Sequence, residues 1–197
     1  VLALGDISGK GLAASMWTTH LVSLVSARSA VHCEPEVVVA GVNRDVCLTA
    51  STVPLASLFV ARLDPVSGKL DYCSAGHPPA LLMRANGKLE SLSEGGLLLG
   101  VVATAPYLRG SVVLGAGDVL LAYSDGVLEA QNGSEEEFGV QRIEAKLRAS
   151  TLTLNDERIN RTSAESILFS MLGSVQDFAA SYPLVDDLSL VVIRRDQ

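Results

Sequence analysis

Three acidic segments stand beside glycine or a second acid where strands are expected to end. They are Gly5-Asp6-Ile7-Ser8-Gly9-Lys10-Gly11, Tyr123-Ser124-Asp125-Gly126 and Asp186-Asp187. Carboxylates held at strand ends can converge on hard cations, and Mg²⁺ and Mn²⁺ take oxygen ligands of this kind. Two such ions about 3.5–4 Å apart can share a water and lower its pKa until it is a nucleophile near neutral pH. Taken singly, each aspartate reads more readily as a turn residue or a helix cap. The combination of Asp6, Asp125 and Asp186 is what points to a cation site.

Other chemistries fit less well. Ala122-Tyr123-Ser124-Asp125-Gly126 approaches the G-x-S-x-G turn of serine hydrolases, whose histidine follows the nucleophile in the chain. Here His20, His32 and His77 all precede Ser124. A nucleotide-binding P-loop also fails, because three residues rather than four separate Gly5 from Gly9, and Gly11 stands where a Ser or Thr would hold Mg²⁺. His77, in Gly76-His77-Pro78-Pro79, has two readings. It could protonate a leaving serine oxygen, or it could lock the turn by hydrogen bonding, the reading favoured here. His20 and His32 flank the first helix without evident partners and read as structural or exposed.

The elements that must position these residues follow from periodicity. Val1 to Leu4 reads as the end of a buried strand stopped by Gly5. Gly11 to Ser29 reads as a helix, with Ala14, Trp17, Leu21, Leu24 and Val25 on one face. Pro35 suits a first helical position, and Val38, Val39, Val42 and Val46 form the stripe of a second helix. From Leu55 the period becomes two. Strands are expected over 55–63 and 69–75, with the turn Asp64 to Gly68 between them, and over 80–84 and 88–92, joined at Asn86-Gly87. A further hairpin is expected between Leu108–Leu114 and Val119–Tyr123 around Gly115 to Asp118. A helix is expected from about Val140 to Leu147. Thr151 to Arg161 reads as a loop. Thr162 and Glu165 form a capping box for a helix striped by Leu168, Met171, Val175 and Phe178. Leu188 to Arg194 reads as a closing strand too apolar for an exposed edge. Runs of hairpins between runs of helices imply an α+β fold, two antiparallel sheets packed face to face with helices outside.

Composition limits the partners. The 197 residues carry a net charge of -7, and 48% are apolar, which suits one globular domain. No basic run exists to bind nucleic acid or an anionic membrane. No apolar run is long enough to span a bilayer, and no signal peptide is evident. Cys33, Cys47 and Cys73 are odd in number, with neither C-x-x-C nor disulfide spacing, and read as thiols of a reducing cytoplasm.

The four segments Gly5–Gly11, Ala75-Gly76-His77-Pro78-Pro79, Tyr123-Ser124-Asp125-Gly126-Val127-Leu128-Glu129-Ala130 and Asp186-Asp187 together resemble the PPM-type protein phosphatases, in the bacterial branch typified by SpoIIE and RsbU. The resemblance runs in order from residue 1 to about Arg195. It implies a four-layer αββα sandwich over 1–197, truncated at its N-terminus. It implies two divalent cations, Mn²⁺ or Mg²⁺, with Asp6 bridging both, the Ile7 carbonyl binding one, and Asp125 and Asp186 completing the set. Asp187 would support that set, or replace Asp186 as the direct ligand. Gly9 and Gly11 would allow the sharp turn, and Lys10 would balance charge or simply be exposed. The implied activity is hydrolysis of phosphoserine or phosphothreonine by an activated water, without a covalent intermediate. The implied substrate is a phosphorylated STAS-type anti-sigma-factor antagonist, and an upstream sensor domain is implied in the intact protein. Relatives place another acidic ligand on a strand before the Gly-Asp turn, which Val1 to Leu4 cannot supply, so this segment alone is expected to be unstable or weakly active. The alternative is a non-catalytic binding module of the same fold with an incomplete metal site.

Overall fold

Residues 1–49, 55–152, 163–180, 182–184 and 186–196 are described by a computed structural model. The chain divides into two compact units: Val1–His77 with Ser93–Val113, and Pro78–Leu92 with Leu114–Gln197.

In the first unit, β1 (Leu2–Ile7) pairs antiparallel with β2 (Ala56–Leu63), and β2 with β3 (Lys69–Ala75). The turn between β2 and β3 is closed by Gly68 N–H donating to Asp64 O, with Gly68 at φ 74. Gly5 does not stop β1 but lies within it. A Cβ there would sit 2.7 Å from Ser57 O, so the glycine allows β2 a close approach and Asp6 remains in the ladder. β2 is buried continuously from Ala56 to Ala61, where a half-buried strand would alternate.

α1 (Leu12–Val31) and α2 (Pro35–Thr49) pack on this sheet. Val38, Val39, Val42 and Val46 of α2 meet Leu58, Val60, Cys73 and Ala75, together with Leu21 and Val25 of α1. Each fully buried valine of this kind contributes about 1.5–3 kcal/mol. Arg28 and Asp45 tie the two helices through a two-pronged ion pair at 2.8 and 2.6 Å. His20 lies inside α1 and not beside it, edge-on to Trp17 at 5.4 Å.

In the second unit, β4 (Ala80–Met83) and β5 (Leu89–Leu92) form the expected hairpin, with Gly87 at φ 84 in its turn. β4 also pairs with β8 (Val119–Tyr123), and β8 with β9 (Leu190–Arg194). Leu81, Met83, Val119, Leu121 and Tyr123 form a core with Ile143 and Leu147 of α4 (Gly139–Leu152) and with Ile167, Met171 and Val175 of α5 (Ala164–Ala179). The buried stripe of α5 thus begins at Ile167, one position before the expected Leu168. Its N-cap is Ser163, whose Oγ accepts from Ser166 N–H; Thr162 lies outside the described residues. Thr151 and Leu152 continue α4, and 153–161 also lie outside the described residues.

The α+β class holds, with one sheet and its helices in each unit. Three further expectations are corrected. β7 (Gly110–Val113) and β8 are not a hairpin: β7 pairs with β3 in the first sheet, β8 with β4 and β9 in the second. The Gly115–Asp118 turn that joins them is turned by Asp118, whose carboxylate accepts from Gly115 N–H and from Ala85 N–H at the end of β4, and so faces the β4 side. β6 (Gly95–Gly96) runs parallel to β3, the exception to an otherwise antiparallel sheet. β9 is an edge strand among the described residues, with all five residues half-buried.

Candidate metal centre

Asp6 and Ile7 are the last two residues of β1, in the first unit. Ser8 prolongs the ladder by donating its N–H to Leu55 O at 2.9 Å and its Oγ–H to the same oxygen at 2.8 Å. Gly9 (φ 111) and Gly11 (φ 83) then turn the chain into α1 through left-handed backbone that side chains disfavour. Asp6 is half-buried and Ile7 buried. Opposite Asp6 in register is Ser57 of β2.

Asp125 and Asp186 belong to the second unit. Asp125 opens α3 (Asp125–Leu128), a single turn following β8 and absent from the sequence reading. Its Oδ1 accepts from Gly126 N–H at 3.0 Å. Asp186 is exposed, and its Oδ1 accepts from Asp187 N–H at 2.8 Å. A carboxylate oxygen of Asp125 and one of Asp186 lie within 4.8 Å of each other. Two like charges so close repel unless something positive is shared, and a pair of carboxylate oxygens suits a hard cation.

Two residues between them explain the approach. Ser124, 4% exposed, donates from Oγ to Asp187 O at 3.1 Å and accepts from Ser189 N–H at 3.0 Å. It fastens the 186–189 segment to the end of β8. Gly126 lies under the same segment: a Cβ there would stand 2.4 Å from Asp187 O and 3.4 Å from Asp186 Cβ. Only glycine lets Asp186 this close to the Asp125 turn. Sequence reasoning missed both roles. It weighed Ser124 as a nucleophile and Gly126 as part of a motif, and nothing local signals a partner some sixty residues away. The donor set and the space made for it fit a divalent cation.

His77 is 5% exposed, with Nδ1 2.8 Å from Ser57 Oγ. Its backbone is held by Ser74, which accepts from His77 N–H and donates to His77 O, both at 3.2 Å. The backbone of the turn is thus held by Ser74 and the imidazole separately by Ser57. The cysteines are free, and burial pushes the Cys73 thiol up to about 12, an unreactive state.

Residues 1–196 match the family model described as stage II sporulation protein E, SpoIIE. The chain is 26% identical over 199 residues to the phosphoserine phosphatase RsbU of Bacillus subtilis, and 27% identical over 141 residues to protein IcfG of Synechocystis. These alignments cover 98% and 72% of the chain, but only 55% and 21% of those proteins. Among solved structures, the SiaA-PP2C domain of Pseudomonas aeruginosa superposes with a TM-score of 0.83 at 16% identity, covering 98% of this chain and 75% of that one. That likeness shows the PP2C-type phosphatase fold.

Proposed function

Because the chain belongs to the SpoIIE family, we propose that it is a metal-dependent protein-serine/threonine phosphatase domain. The observation that carries this reading is the convergence of Asp125 and Asp186, with carboxylate oxygens within 4.8 Å, against a glycine that leaves room for nothing larger. Asp6, with the carbonyl of Ile7, would complete the ligand set from the end of β1. When bound, two Mn²⁺ or Mg²⁺ ions would acidify a water and offset charge on the phosphoryl group.

The chain's own residues do the positioning. Asp186 is exposed, so a phosphorylated side chain can reach the ligand set without a deep pocket. Ser124 holds the Asp186 loop in place and, with Oγ engaged and buried, is a strut and not a nucleophile. This agrees with direct attack by water on phosphorus and no covalent intermediate.

The substrate we infer is a phosphoserine or phosphothreonine on a small STAS-type anti-sigma-factor antagonist, in the cytoplasm, with a sensor domain elsewhere in the intact protein. The relation to RsbU supports this. No helix among the described residues is long and apolar enough to cross a membrane.

The test is phosphate release from an aryl phosphate and from a phosphoserine STAS protein, with Mn²⁺, with Mg²⁺ and with chelator. Metal-dependent release, lost in Asp125→Asn, is expected. Mn²⁺ binding without hydrolysis of either substrate would instead make the domain a non-catalytic binder.

A further inference from the structure

Ser57 is the lone polar side chain in the buried run from Ala56 to Ala61. It is 8% exposed, and its Oγ lies 2.8 Å from Nδ1 of His77, itself 5% exposed. A polar pair buried in a sheet gives up hydration that its mutual hydrogen bond only partly restores, whereas apolar residues of the same size would fill the space without that cost. Such a pair calls for a reason.

Locking the Gly76–Pro79 turn is not a sufficient one. Ser74 already holds that turn through the N–H and C=O of residue 77, bonds that any residue there could make. Gly76 adds a left-handed step (φ 62), where a Cβ would stand 2.6 Å from Leu98 Cγ. The imidazole bond is therefore surplus to the turn. It is directed at Ser57, whose register partner across the β1–β2 ladder is Asp6. Directly paired residues of antiparallel strands project from the same face, with Cβ atoms about 4.5–5.5 Å apart. The chain of fixed groups thus runs from Ser74 on β3 through His77 to Ser57, the cross-strand partner of Asp6.

We propose that Ser57 and His77 are positioning residues that hold the Asp6 carboxylate in the orientation a divalent cation requires. The proposal rests on the reading of Asp6 as a cation ligand. Groups supporting a ligand in this way change metal affinity by about 10–100-fold when removed.

The experiment is calorimetric titration of Mn²⁺ into the full 197-residue chain and into Ser57→Ala, His77→Ala, the double variant, His77→Asn and Asp125→Asn, with the metal-free unfolding midpoint of each as a control. Ser57→Ala removes one hydroxyl without adding bulk, so it keeps the test open if His77→Ala fails to fold. Expected is Mn²⁺ binding weakened about 10-fold by either alanine, no further loss in the double variant because the two act as a unit, and recovery in His77→Asn, whose amide nitrogen can stand near Nδ1. The positioning role is overturned if Ser57→Ala and His77→Ala bind Mn²⁺ as the parent does while Asp125→Asn does not, or if the losses in the double variant simply add. Undiminished Mn²⁺ binding by Asp125→Asn would overturn the metal-site reading itself.

Discussion

At the scale of single residues, the proposed site depends on what stands next to the aspartates as much as on the aspartates. Asp125→Asn or Asp186→Asn removes a charge from a proposed ligand at a loop or strand end, so the fold should survive. Phosphatase kcat/KM should fall about 100-fold or more, roughly 2.7 kcal/mol of transition-state stabilisation, with an unchanged circular dichroism spectrum. Ser124→Ala should behave differently. It leaves Ser189 N–H without its acceptor in a part-buried setting, costing about 1 kcal/mol of stability. At saturating Mn²⁺ it should keep much of its activity; a loss as deep as that of Asp125→Asn with metal still bound would restore Ser124 as a nucleophile. Gly126→Ala places a methyl 2.4 Å from Asp187 O. The backbone must yield, at about 1–3 kcal/mol for overpacking, and Mn²⁺ affinity should drop although no ligand has been changed. A titration of Gly126→Ala against the parent chain decides this.

At the scale of elements, the sequence was readable where one periodicity met one partner. The Val38–Val46 stripe, the Asn86-Gly87 hairpin and the Gly9/Gly11 turn are in place because local chemistry suffices for each. It was not readable where a partner distant in sequence decides. Val112 and Leu120 look like two arms of a hairpin, yet they pair with Leu70 and with Leu82 and Ile193 in different sheets. The cause is Asp118, which binds Arg84 and Ala85 across 33–34 residues and holds the turn to the β4 side. Gly95 and Gly96 carry no strand periodicity and yet form a strand pressed on β3, where a Cβ on Gly95 would lie within bonding range of Ser74 O. Among the proposed site residues, Asp6, Asp125 and Asp186 stand out by motif and order, but Ser57 does not, because its signal is only its register against Asp6. The Arg84 network carries a prediction at this scale. Arg84 forms two prongs to Glu90 and one to Asp118, whose side chain is 6% exposed. Arg84→Ala should cost about 3 kcal/mol, the low end for a buried pair losing one partner, measured by urea unfolding at neutral pH. The hydrogen bonds from Arg84, and then those from Lys88, hold the Glu90 carboxyl down at about 2 from its ordinary 4.5. Its stabilisation is therefore present above pH 4.5 and lost as pH falls from there through about 2. Arg84→Ala should flatten that part of the stability–pH curve as well as lower it.

At the scale of the whole molecule, the proposed ligands are residues 6, 125 and 186, and a chain that is unfolded cannot bring positions so distant in sequence to one cation. Mn²⁺ should then bind the folded form alone and stabilise it by mass action. At a free concentration 100 times Kd, one such site adds about 2.7 kcal/mol, and for a chain of this size each kcal/mol moves the midpoint by about 2–4 °C. Thermal unfolding in Mn²⁺ should therefore run about 5–10 °C above unfolding in chelator. The increment should follow the logarithm of metal concentration and vanish in Asp125→Asn. Arg84→Ala offers the control, because it weakens the fold without touching a ligand: its midpoint should fall in chelator and in Mn²⁺ alike, with the gap between them kept. A gap that closes in Arg84→Ala and persists in Asp125→Asn would place the Mn²⁺ site somewhere other than the three aspartates.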